Sequence, residues 1–199
     1  MKTYNIASIK GPITSEVWDK AETLSIDISP CKEFPCPYKT DVKLLHNDEK
    51  IFIYFKTDET QLRAVQIERN SQVCEDSCME FFLAPDKDDE RYFNFEINPI
   101  GTLLLYKCTR RIEMIPVEVD EKIFNIKTVI TNNGWELYYE IPFAFIKEHF
   151  LKISSVMHAN FYKCGEKTNP EHYGCWSNIP EYPYDFHTPE YFGELLLEN

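Results

Sequence analysis

Three runs between residues 74 and 107 constrain the fold most. Residues 74 to 83 read Cys-Glu-Asp-Ser-Cys-Met-Glu-Phe-Phe-Leu, residues 92 to 97 read Tyr-Phe-Asn-Phe-Glu-Ile, and Thr102 to Lys107 follow. Their alternation of apolar and polar residues predicts three antiparallel, half-buried strands. Successive strand side chains point to opposite faces. Phe93, Phe95 and Ile97 therefore share one face, as do Met79, Phe81 and Leu83. Glu80, Glu96 and Asn98 project from the other face. Asn98-Pro99-Ile100-Gly101 supplies a turn, with Pro fixing φ and Gly permitting positive φ.

The same reading extends along the chain. Strands are expected near Tyr4–Ile9 (as an edge), Leu24–Ile28, Asp41–His46, Lys50–Lys56, Phe124–Thr131, Trp135–Ile141, Val156–Lys163 and Tyr191–Leu197. Asn132-Asn133-Gly134 is a hairpin turn. Thr14-Ser15-Glu16 reads as the capped start of a short helical turn, with Trp18 as a core anchor. Phe143–Phe150, opened by Pro142, is the best helix. Residues 108 to 118 read as a connection broken by Pro116, and 164 to 189 as a long loop. Many short strands and few helices predict an all-β, antiparallel, jelly-roll-like β-sandwich with one or two short helices, in one domain spanning 1–199.

The net charge of -12 disfavours nucleic acid, whose phosphates require Lys and Arg clusters. It equally disfavours an anionic membrane surface. No stretch approaches the apolar run that spans a bilayer, and the opening residues lack the apolar core of a signal peptide. Cys31, Cys36, Cys74, Cys78, Cys108, Cys164 and Cys175 make an odd number of thiols, which favours a reducing, cytoplasmic setting over secretion.

Local motifs for chemistry are few. There is no Gly-x-Ser-x-Gly elbow and no glycine-rich phosphate loop. On a strand, Cys74 and Cys78 would stand about 13 Å apart, too far to share a zinc ion. No metal or cofactor is therefore expected. Calcium would have to use Asp86, Asp88, Asp89 and Glu90, which lack the twelve-residue hand pattern and read better as a solvated loop. Glu80 and Glu96, as cross-strand neighbours, fall within the about 5 to 10 Å that glycoside hydrolysis uses. The aromatics Tyr162, Tyr173, Trp176, Tyr182, Tyr184, Phe186, Tyr191 and Phe192 suit the apolar C–H face of a sugar. The alternatives are that these rings fasten a long loop to the core, or that residues 173–192 bind a protein partner.

Five stretches together carry a family resemblance. They are Glu75 to Phe82, Tyr92 to Gly101, Gly134 to Pro142, Ala159 to Gly165 and Phe186 to Gly193. Their order and spacing resemble the family 9 carbohydrate-binding modules, in particular single-domain relatives in gut bacteria. The resemblance implies an antiparallel β-sandwich that binds carbohydrate, such as the end of a glucan or xylan chain, without catalysis. It also implies a link to polysaccharide breakdown, since many such modules are attached to glycoside hydrolases. Relatives clamp sugar between two tryptophans, whose places here fall to Cys74 and Phe186. An expected basic residue is Glu96, an expected amide is Tyr162, and the acid Glu80 carries over unchanged. Trp176 matches a tryptophan outside the clamp. The candidate ligand-binding set is thus Glu80, Glu96, Asn98, Tyr162, Lys163, Trp176 and Phe186. In it Glu80 accepts hydroxyl hydrogen bonds, Phe186 and Tyr162 stack, and Glu96 with Lys163 tunes polarity.

Overall fold

The computed structural model describes residues 2–110, 112–181 and 184–198. Its strands are β1 (Thr3–Ser8), β2 (Leu24–Ile26), β3 (Thr40–His46), β4 (Lys50–Thr57), β5 (Cys78–Ala84), β6 (Tyr92–Ile97) and β7 (Leu103–Thr109). Then come β8 (Glu113–Pro116), β9 (Lys127–Thr131), β10 (Gly134–Pro142), the helix α1 (Phe143–His149), β11 (Val156–Gly165), β12 (His172–Cys175) and β13 (Gly193–Leu197).

Two sheet layers share one strand. The first runs β8-β7-β6-β5-β11-β13-β1 and the second β1-β3-β4-β10-β9. Residues Thr3 to Ile6 of β1 pair with β13, whereas Ala7 and Ser8 pair with β3. The expected edge strand is therefore an interior corner strand that passes from one layer to the other. Both of its pairings are parallel, an exception to the antiparallel pattern of the named strands. Along β11, β13 occupies Val156 to Ala159 and β12 occupies Tyr162 to Gly165.

The inward residues make the core, as the alternation predicts. Phe81 stacks on Phe161 at 4.5 Å within the first layer. Phe161 meets Phe55, and Phe95 meets Tyr139, across the two layers at 5.9 and 6.0 Å. Each such ring removed from water contributes roughly 1.5–3 kcal/mol. Phe145 of α1 closes one end by stacking on Phe93 at 4.9 Å.

Several details differ from the sequence reading. Every residue of β5 and β6 is buried, so these strands are covered on both faces. The outer cover includes Ile179, Phe186 and Phe192, which pack over Phe82, Tyr92 and Tyr162. The connection after β7 is a further hairpin to β8, because Pro116 ends that strand and needs no interior N–H partner there. The long loop contains β12. Thr14 precedes a 3-10 turn without a side-chain cap. Trp18 lies outside the main core, partly buried against Tyr54 at 5.5 Å on the outer face of the second layer. Tyr182 lies outside the described residues.

Candidate functional site

Strand phase and register build one cavity floor. Cys78, Glu80 and Phe82 of β5, Asn94 and Glu96 of β6, and Tyr162 and Cys164 of β11 all point away from the core. Glu80 pairs with Glu96 on one side and Tyr162 on the other, and Cys78 pairs with Cys164. Above them opens a cavity of about 550 Å³, a size suited to a small ligand. Leu104 and Tyr106 of β7 and Met114 of β8 line one side. Tyr173 of β12 with Tyr184 and Phe186 lines another, and Gln72 and Cys74 complete the wall.

The floor is acidic and poorly hydrated. Glu80 is 2% exposed and Glu96 6%. Glu80 Oε1 accepts from Cys164 Sγ at 2.8 Å, and Glu96 Oε1 accepts from Asn94 Nδ2 at 2.9 Å. Burial, and after it the neighbouring Glu96, hold the Glu80 carboxyl well above the usual range. Burial also pushes the Cys78 thiol up to about 12, and raises Cys164 further with help from its contact to Cys78. Cys74 is raised by burial and then by Glu96, Glu166 and Glu80. Among the described lining residues none is Lys or Arg. A protonated carboxyl both donates and accepts, whereas an ionised one only accepts. The floor therefore offers both kinds of partner to a hydroxyl-rich ligand, and the aromatic walls offer apolar faces.

Of the seven candidates, Glu80, Glu96 and Phe186 line the cavity. Tyr162 lies beneath Phe186, with ring centroids 4.0 Å apart and planes at 11°. Its hydroxyl donates to Phe186 O at 2.9 Å, and the Phe82 ring meets it edge-on at 4.9 Å. It supports Phe186 and has no ring face left for a ligand. Lys163, one residue on, turns to the inner face. There its Nζ sits 2.9 Å from Glu59 Oε2 and 2.9 Å from His172 Nε2, so it does not act with Glu96 as expected. Asn98 is buried in its own turn, accepting from the Ile100 and Thr102 amides and donating to Gln66 O and Asp76. Trp176 packs in the core, 5.7 Å from Phe161.

The shared motifs divide in the same way. In Asp76-Ser77-x-x-Glu80 the first two residues anchor the loop before β5. Asp76 accepts from Arg63 and from the Val65 and Gln66 amides, and Ser77 Oγ donates to Glu59 Oε1 at 2.8 Å. Only Glu80 reaches the cavity. In Pro189-x-x-Phe192-Gly193, Phe192 packs on Tyr92 at 5.3 Å. A Cβ on Gly193 would lie 2.4 Å from the Trp176 ring, so any side chain there must displace that ring.

Two further groups matter. Three of the four acids considered for calcium have protein partners: Asp89 holds Arg91 through both oxygens, and Lys152 pairs with Asp86 and Asp88. Sequence reasoning missed Tyr106, whose outward phase opposite the core residue Leu105 was a usable signal. It also missed the meeting of Cys78 with Cys164, because the partner lies far along the chain and no local spacing reports it. All seven cysteines are free thiols.

Comparison with known proteins bears on this geometry. The model of carbohydrate-binding family 9 matches residues 15–197. A crystal structure from Bacteroides uniformis, of a protein whose carbohydrate binding is itself a proposal, is 27% identical and superposes with a TM-score of 0.88 over 99% of both chains. A family 9 carbohydrate-binding module from Caldicellulosiruptor kristjanssonii, solved with glucose, is 14% identical with a TM-score of 0.71, over 100% of this chain and 96% of that one. The same identity and TM-score hold for that module with cellotriose, over 94% of that chain. The comparison with curated proteins gave no match.

Proposed function

Because the chain belongs to carbohydrate-binding family 9, we propose that residues 1–199 act as one module that holds a carbohydrate in the outer cavity and leaves it chemically unchanged. The observation that carries this reading is the Glu80–Glu96 pair set beneath the rings of Tyr106, Tyr184 and Phe186. Sugars present hydroxyls at their rim and C–H groups on their faces, and this arrangement meets both. The end of a glucan or xylan chain is the proposed ligand class, with a role beside polysaccharide breakdown. Structural similarity to modules solved with glucose and cellotriose supports the glucan arm.

Calorimetry with glucose, cellobiose, cellotriose and xylobiose tests the reading. We expect binding that Glu80→Ala and Phe186→Ala each weaken by about tenfold or more, the worth of one buried hydrogen bond or one stacked ring. Unchanged affinity in both variants would remove the site. A second reading, glycoside hydrolysis, draws on one arrangement: two carboxyls share the floor, and burial raises the Glu80 carboxyl well above its usual range. Release of new reducing ends in the same samples would establish it. A protein partner on residues 173–192 has less support, since Tyr173 and Phe192 are buried and, among the described residues there, Tyr191 is the large exposed aromatic.

A further inference from the structure

We propose that Cys78, Glu80 and Cys164 form a binding site for a zinc ion at the base of the outer cavity. The first support is placement. Cys78 and Cys164 are directly opposed across the antiparallel pair β5–β11, and Glu80 stands two residues from Cys78 on the same face. Three ligand atoms, two thiol sulfurs and one carboxyl oxygen, lie within 4.8 Å of one another. The second support is rigidity. All three residues lie on strands paired on both sides, so the donors are held before any ion arrives. The third is donor chemistry. Two thiolates and a carboxylate match zinc, at Zn–S of about 2.3 Å and Zn–O of about 2.0–2.2 Å.

The geometry also leaves one position open. Glu80 and Cys164 line the cavity whereas Cys78 is wholly buried below it. An ion held by the three would therefore turn its fourth tetrahedral position toward the cavity. Three protein ligands with one open position distinguish an accessible zinc site from a closed structural one. Binding exchanges the two thiol protons and the carboxyl proton for the divalent charge, which offsets the anions left in a buried place. This inference shares Glu80 with the carbohydrate reading but does not rest on it, since its readout is thiolate-to-metal absorption.

The test uses the full chain, reduced and stripped of metal, titrated with Co²⁺ and then displaced with Zn²⁺. We expect one equivalent of cobalt to give thiolate-to-metal charge-transfer absorption and the intense visible bands of a tetrahedral site. Zinc should then abolish them. Cys78→Ser and Cys164→Ser should each lower zinc affinity by about a hundredfold or more, and Cys175→Ser, a buried thiol outside the cluster, should not. Near-ultraviolet circular dichroism checks the fold of each variant. If a serine variant does not fold, Glu80→Gln must still lower the affinity by about tenfold. Absence of thiolate bands in the native chain, bands equally strong in folded Cys164→Ser, or unchanged zinc affinity in folded Glu80→Gln would overturn the site.

Discussion

Tyr162, Lys163 and Cys164 are consecutive, yet they serve two buried polar clusters on opposite faces of one sheet. On the inner face, Glu59 accepts from Ser77 Oγ at 2.8 Å and from Trp135 Nε1 at 3.1 Å, and pairs with Lys163 at 2.9 Å. Burial pulls the Lys163 ammonium down, but Glu59 together with Cys36 and Cys164 outweighs it and the net shift is upward. On the outer face Glu80, Glu96 and two thiols stand together, and no lysine or arginine lines their cavity among the described residues. A buried charge is tolerated where a partner compensates it. The inner cluster compensates itself and serves stability. The outer one leaves its acidic partners turned toward a space, and so is suited to something that enters from outside.

That contrast can be broken by substitution. Lys163→Met strips the counter-charge from Glu59 and should cost about 3–5 kcal/mol of stability in urea unfolding. A loss below about 1 kcal/mol would mean the inner cluster is not held by that pair. Gly193→Ala should cost about 1–3 kcal/mol, because its methyl group must displace the Trp176 ring. A neutral result would return Trp176 to the set of movable, ligand-facing residues. Glu80→Gln replaces a carboxyl held protonated by burial with a group of the same shape. Its effect on stability should stay below about 1 kcal/mol while sugar affinity falls. Equal losses for Glu80→Gln and Lys163→Met would erase the distinction between the two faces.

A further effect concerns pH. Burial, and then the Lys163 charge, push His172 down from 6.5 to about 4. Between those values the unfolded chain binds the proton and the folded chain does not. The contribution of His172 is therefore complete above pH 6.5 and is lost as pH falls toward 4. Melting temperatures of the native chain should fall more steeply over that window than those of His172→Gln. Parallel curves would show that His172 titrates normally in the fold.

The alternation of residues 78 to 97 made the sheet face legible, and with it the Glu80–Glu96 pair, because strand phase is a local property. Family spacing pointed to Phe186 in the same way. Lys163 and Trp176 escaped because conservation of a motif's order says nothing about which side of a strand a residue leaves from. Lys163 is adjacent in sequence to two outward residues and still faces Glu59. Asn98 continues the outward phase of β6, but its turn takes its amide group. The burial of β5 and β6 on both faces depends on where Ile179, Phe186 and Phe192 come to rest, a tertiary fact that no strand pattern contains. The pairing of β1 with both β13 and β3 is of the same kind.

The central claim is that the outer cavity, and no other surface, receives the ligand. Backbone-amide NMR of the labelled chain titrated with cellotriose tests it most directly. The account predicts that the amides of Cys74, Glu80, Glu96 and Phe186 move together while those of Asn98 and Trp176 stay in place. Shifts centred instead on Trp18, Tyr54 and Tyr138, which line a separate groove on the second layer, would contradict it.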